Sequence, residues 1–276
     1  MSQAQVSPEI SKTIEVNGIK TNYHNLGGGS PVVLLHGSGP GVSAWANWRL
    51  TLPDLSKTFR ALAPDVVGFG YTDRPANFKY GLEAWVNHII GFIEALNLKR
   101  VSLIGNSMGG ALALALTIKR PDLIDKVVLM GSVGVHCEVT PGLDAVWGYT
   151  PSIENMRRLL DLFAFDRNLV SDELAELRYK ATIRPGWQES YAAMFPAPRQ
   201  RWVDAMESPE DKIKAIDKEV LVIHGRDDQI IPLKMSLRLL ELIPRSQLHV
   251  FGQCGHWTQI EHTARFNRLV TDFFSS

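Results

Sequence analysis

The chain has 276 residues, 45% of them hydrophobic and 21% charged, the balance of a globular protein long enough to bury one large core. Lys plus Arg and Asp plus Glu each number 29, so no global field draws in nucleic acid or an anionic membrane. A small-molecule substrate is the expected partner.

The opening stretch "MSQAQVSPEISKT" lacks a basic start and an apolar run, so it is not read as a secretory signal. No apolar run approaches the roughly 20 residues that span a bilayer. "SKTIEVNGIKTNYHNLG" predicts two short strands around an Asn17-Gly18 turn, a strong hairpin signal. "PVVLLHG" is a continuous apolar run closing on Gly, as a strand buried on both faces is. "RALAPDVVGFG", "RVSLIGNS", "IDKVVLMGSVG", "EVLVIHGRDD" and "SQLHVFGQCGH" follow as further strands.

Helices are predicted between them. Leu82, Trp85, Val86, Ile89, Ile93 and Leu96 recur at helical spacing, and Ala111 to Leu116 is apolar all round. This alternation predicts an α/β fold, a mostly parallel central sheet with helices on both faces. From about His136 to Glu210 it stops, and helix-like "SIENMRRLLDLFAF" and "SDELAELRYKATI" appear instead, the latter opening on Ser171. The expected organisation is a core over 1–135, an inserted helical lid over 136–210, and the rest of the core over 211–276. Cys137 and Cys254 are far apart, with no metal-like spacing. Two reduced thiols in a cytoplasmic protein are expected in preference to a disulfide.

The chemistry enters at "GNSMGG", Gly105 to Gly110, between an apolar strand and an apolar helix. It fits G-x-S-x-G, in which the serine sits on a sharp strand-to-helix turn at the sheet's edge. A plain turn has the same local composition. A serine hydroxyl is a poor nucleophile until a base takes its proton, so the remaining parts must decide. In this architecture they follow in the order serine, acid, histidine. "GRDDQIIP" supplies Asp227 and Asp228 after a strand, with Asp228 preferred as the acid and Asp227 as a solvated or turn residue. "CGHW" supplies His256 after the last strand. His36 and His224 also end strands, but each is followed at once by Gly and fits a structural role better. "HGSGPG", from His36 to Gly41, is the glycine-rich loop from which an oxyanion hole is made, with the backbone N–H groups of Ser38 and Met108 as donors. The expected triad is Ser107, Asp228 and His256.

These residues, with "DVVGFGYTD" from Asp65, resemble the α/β-hydrolase fold family over nearly the whole chain. Within that family the sequence is similar to the meta-cleavage product hydrolases, which break carbon–carbon bonds in bacterial degradation of aromatic compounds. The marks are "HGSGPG" followed by "WANW", Asn106 and Met108 around the serine, "GRDDQIIP", and Trp257 beside the histidine. The stretch "IRPGWQESYAAMFPAPRQRW" resembles the subgroup acting on ring-fission products of toluene- and cumene-type alkylbenzenes.

The resemblance implies that Asn47, Asn106, Arg184 and Trp257 hold the dienoate part of the substrate. A guanidinium such as that of Arg184 suits a carboxylate because it grips both oxygens. It also implies that Val133, Trp147 and Ile231 line the apolar part, where branched Val133 and Ile231 leave more room for a small alkyl group than for phenyl. The implied substrate is a 2-hydroxy-6-oxo-hexa-2,4-dienoate, cleaved between C5 and C6 with no metal or organic cofactor. A homo-oligomer, dimer or larger, is expected. A carboxylesterase would use the same triad without needing Arg184, and a ligand-binding receptor with a vestigial site would not depend on Ser107.

Overall fold

The computed structural model describes residues 7–276. Residues 1–6, part of the stretch read above as no secretory signal, lie outside them.

β1 (Lys12–Val16) and β2 (Ile19–Leu26) form the predicted antiparallel hairpin, with Val16 paired to Ile19. Asn17 and Gly18 take positive φ values of 52° and 78°, the backbone that a two-residue hairpin turn demands. β3 (Pro31–Leu35), β4 (Arg60–Pro64), β5 (Val101–Asn106), β6 (Ile124–Met130), β7 (Glu219–Gly225) and β8 (Ser246–Phe251) complete one sheet. Its order is β1-β2-β4-β3-β5-β6-β7-β8. β2 meets β4 antiparallel, and every pairing from β4 to β8 is parallel.

Successive strand residues point to opposite faces, so the apolar runs supply two cores. On one face Val33, Leu35, Leu103, Val127 and Leu129 pack with the helices Leu82–Ala95 and Met108–Lys119. On the other Leu34, Ile104, Val128 and Ile223 pack with Trp48, Leu52, Phe266 and Val270. Each such side chain taken fully out of water contributes about 1.5–3 kcal/mol. The edge strand β8 is the exception, with Val250 exposed.

Between Met130 and Glu219 no strand occurs among the described residues. Helices Pro141–Trp147, Ile153–Phe163, Asp172–Thr182, Trp187–Met194, Gln200–Asp204 and Glu210–Lys214 fill this insertion. Ser152 and Ser171 start two of them, accepting the N–H groups of Asn155 and Leu174. No described helix is long and apolar enough to cross a membrane. Cys137 and Cys254 are both buried and free. Parallel β3, β5, β6, β7 and β8 end on one edge of the sheet, and the loops leaving that edge build the site.

Candidate active site

Ser107 joins β5 to the helix Met108–Lys119 at φ 55° and ψ −117°, a strained conformation for a residue with a side chain. Its N–H donates to the Met130 carbonyl at 2.9 Å, and its own carbonyl accepts from Gly110 N–H at 2.9 Å. These bonds fix the turn from both sides. The flanking glycines are explained by crowding: a Cβ on Gly105 would collide with the Gly109 carbonyl, and one on Gly109 with the Leu35 carbonyl. Helix and strands approach as closely as backbone allows.

His256 and Asp228 come from the loops after β8 and β7. His256 Nδ1 donates to Asp228 Oδ2 at 2.7 Å, which leaves Nε2 free to take a proton. The other oxygen, Oδ1, accepts N–H groups from Ile230 at 2.7 Å and Ile231 at 2.9 Å. Asp227 turns the other way, with Oδ2 accepting the Cys254 N–H at 3.2 Å. The carboxylate that touches the imidazole is thus that of Asp228, not of its neighbour.

The two other strand-end histidines hydrogen-bond to other groups, although His224 Nε2 also lies 3.5 Å from Asp228 Oδ2. His224 bonds Ser236 Oγ at 2.6 Å and the Ile231 carbonyl at 2.9 Å. His36 Nδ1 donates to the Gly37 carbonyl at 2.7 Å, while Nε2 accepts the Val66 N–H at 3.0 Å. Burial pushes the His36 imidazole down to about 4, so it stays neutral.

The glycine-rich loop lies against the serine. A Cβ on Gly37 would stand 3.2 Å from both Ser107 Cβ and Asn106 Oδ1. The insertion braces this loop, since the Trp147 indole N–H donates to Ser38 Oγ at 2.8 Å and the Tyr191 hydroxyl to the Ser38 carbonyl at 2.9 Å. Met108, as first residue of its helix, has an N–H with no carbonyl one turn back inside that helix.

A cavity of about 380 Å³ opens over these groups. Ser107, His256, Ser38 and the predicted Asn47, Asn106, Arg184 and Trp257 all line it. The Asn47 side-chain NH2 is buried without a hydrogen-bond partner, a donor available to a ligand. The apolar lining comes from Leu143, Val146, Met156, Leu160, Phe163 and Ile230.

Val133, Trp147 and Ile231 were expected to line the apolar part, but they are not among the cavity's lining residues. All three are buried. Trp147 stacks on Phe195 at 4.4 Å while bracing Ser38, and Ile231 spends its N–H on Asp228.

Sequence reasoning missed Glu9, Arg49, Arg178 and Gln259, which also line the cavity. It missed Gly131 too, at φ 50°, where a Cβ would stand 3.2 Å from His256 Nδ1. "IRPGW" singles out Arg184, but a charge on a surface-like helix pattern gives Arg178 no comparable signal. Burial, with the nearby Arg49 and Arg184 guanidiniums adding to it, pushes Arg178 down to about 10. His136, Asp204 and Glu207 bring three potential metal-ligand atoms within 4.8 Å of one another, but none of them lines the cavity.

Residues 30–263 match the family described as alpha/beta hydrolase fold. The chain is 61% identical over 275 residues to a 2-hydroxymuconate semialdehyde hydrolase of Pseudomonas sp. strain CF600, covering 100% of this chain and 97% of that protein. It is 60% identical over 271 residues to a 2-hydroxy-6-oxo-2,4-heptadienoate hydrolase of Pseudomonas putida, covering 98% of each. Among solved structures, a meta-cleavage product hydrolase from Pseudomonas fluorescens IP01, a serine-to-alanine variant complexed with acetates, superposes with a TM-score of 0.96. That pair shares 61% identity over 97% of this chain and 98% of the other. By fold, by sequence and by the order of its parts along the chain, this protein belongs to the meta-cleavage product hydrolases of the α/β-hydrolase fold family.

Proposed function

We propose that the protein hydrolyses the C5–C6 bond of 2-hydroxy-6-oxo-hexa-2,4-dienoates bearing a small C6 group, with 2-hydroxy-6-oxohepta-2,4-dienoate as the leading substrate. The observation that carries this reading is one cavity in which Ser107 and an Asp228-held His256 share a wall with Arg184 and with an apolar surface. A plain esterase has no need of the guanidinium.

In this reading Arg184, Asn47, Asn106 and Trp257 hold the carboxylate and dienol. His256 takes part in proton transfer that moves the 2-hydroxyl proton to C5, giving the 2,6-dioxo-3-enoate. Attack at the C6 carbonyl, by Ser107 Oγ or by a water that His256 deprotonates, places negative charge on the C6 oxygen. The N–H groups of Ser38 and Met108 then stabilise it, each donor worth about 2.7–4 kcal/mol in such sites. When C5–C6 breaks, its electron pair passes through C3=C4 into the C2 carbonyl. Protonation there yields 2-hydroxypenta-2,4-dienoate. C6 leaves directly as a carboxylic acid after attack by water, or stays on Ser107 as an acyl ester that a water then hydrolyses to the acid and the free serine.

The insertion, expected over 136–210, serves as a lid that supplies the apolar wall and excludes water. The buried, unpaired cysteines suit a reducing cytoplasm.

A small C6 group is supported by the two relatives near 60% identity, whose names carry methyl and hydrogen at that position. The aldehyde substrate is the second reading for the same reason. Mixing the protein with the methyl ketone and following its visible absorbance tests the proposal. Loss of colour with release of acetate and 2-hydroxypenta-2,4-dienoate supports it. Cleavage of an aryl ester without loss of colour moves the function to esterase. Equal turnover of the phenyl ketone removes the size restriction.

A further inference from the structure

Among the described residues, the titratable side chains lining the cavity apart from His256 are Glu9, Arg49, Arg178 and Arg184. Three guanidiniums therefore face one carboxylate. A partly buried surplus of like charge is unfavourable, and it leaves the cavity wall short of anions. Glu9 Oε2 stands 3.7 Å from Arg184 Nη1, with side-chain exposures of 13% and 31%. Both of these atoms are buried, and neither has a hydrogen-bond partner among the described residues. The two charges are paired in distance without the carboxylate being seated in the guanidinium fork.

The backbone of Glu9 is tied down. Its carbonyl accepts from Asn22 Nδ2 at 2.9 Å, and Asn22 also accepts the Ser11 N–H at 3.0 Å and bonds Asp65 at 2.8 Å. The segment before β1 is thus stapled to β2 while its carboxylate reaches the cavity. Arg184 is held on its flat faces by Tyr71 and Trp187, at 5.1 and 4.8 Å, so its orientation does not depend on Glu9.

We propose that Glu9 is a resident counter-ion of the carboxylate-binding part of the cavity and limits how tightly it holds a monoanionic dienoate. This rests on the assignment of Arg184 to the substrate carboxylate. Substrate and product carry the same carboxylate, so any added grip on one is added grip on the other. Binding both more tightly lowers KM without accelerating the chemical step and slows product departure. Glu9 offsets part of the field of Arg49, Arg178 and Arg184 and leaves the carboxylate exchangeable.

The test uses hexa-2,4-dienoate, a monoanion with no bond to cleave, titrated by calorimetry at fixed ionic strength. Glu9→Gln is expected to tighten binding roughly threefold to tenfold, the effect of removing one nearby like charge. Glu9→Ala is expected to move it in the same direction. In an Arg184→Met background the gain from Glu9→Gln should shrink, and the neutral amide of the same acid should not respond. Unchanged or weaker binding in both Glu9 variants overturns the proposal, as does an equal gain for the neutral amide or no binding to any of the proteins. Because the probe is not turned over, the result stands apart from the colour-loss assay, in which failure of the hydrolase reading would appear.

Discussion

Asp228 uses its two oxygens for different tasks: Oδ2 takes the His256 Nδ1 proton at 2.7 Å, and Oδ1 is clamped by the N–H groups of Ile230 and Ile231. The clamp fixes the carboxylate, and the carboxylate fixes the imidazole tautomer. Asp228→Asn keeps an acceptor for one of these tasks and not both. Its kcat is expected to fall by about 10⁴, the loss seen for the equivalent change in the serine-protease template. Retention of a tenth of wild-type kcat would show that the pair is not part of the catalytic machinery.

Gly131 offers a second way to disturb the same pair. A Cβ there meets His256 Cε1 and Nδ1 at 3.2 Å, in a backbone with φ 50° that side chains avoid. Gly131→Ala should lower stability by about 1–2 kcal/mol and lower kcat at least roughly tenfold. Gly186→Ala is the control, since its φ is 79° but nothing lies within 4 Å of its Cβ. It should show the strain in thermal melts and leave kcat alone. Equal kcat losses in the two variants would remove the special position of Gly131.

Arg184→Met tests the carboxylate contact. A charge-assisted hydrogen bond lost from a shielded site costs about 1.5–3 kcal/mol, so KM for the dienoate ketone should rise roughly ten- to hundredfold. Lys keeps the charge but not the fork, and should recover part of the loss. A KM unchanged by Met would place the substrate carboxylate elsewhere.

Acid should destabilise the fold through its buried histidines. His36 and His88 are pushed down to about 4 from 6.5, in both cases chiefly by burial. A base with a lowered folded pKa contributes stability above 6.5 and loses it as pH falls toward 4. Asp65 is pushed up to about 6 by burial, so it acts in the opposite sense, costing stability as pH rises from about 4 to 6. These two histidines against this one carboxyl leave a net loss of roughly 3–4 kcal/mol on acidification from pH 7 to 4. His24 and His224, also lowered chiefly by burial, act in the same direction as the two histidines. Urea midpoints across that range should fall, and His88→Gln should flatten the slope. A midpoint that climbs on acidification would reverse the balance.

How much of this was legible in the residues depends on the range of the signal. Runs such as "PVVLLHG" and the Asn17-Gly18 turn carry their structure locally, so strands, hairpin and the strand-free insertion could be read directly. The order of β4, β3 and β5 could not, because pairing partners lie far apart in sequence. Ser107, Asp228 and His256 were readable because the chemistry prescribes their types, their order and their places after strands. Glu9 and Arg178 have no such prescription. They matter only because folding brings the segment before β1 and a helix of the insertion to one cavity wall. Val133, Trp147 and Ile231 are assigned through resemblance alone, because apolar type by itself cannot tell a lining residue from any other core residue.

His256 is moored to the insertion. Its N–H donates to the Phe163 carbonyl at 2.8 Å, and Glu261, four residues past Trp257, accepts N–H groups from Phe165, Asp166 and Gly255. Trp257 completes the join by stacking on Phe163 at 5.0 Å. An engineer transplanting the insertion from a relative to change substrate range would therefore cut through the mooring of His256. The segment from Cys254 to Glu261 has to travel with the graft, so specificity and catalysis are exchanged here as a single cassette.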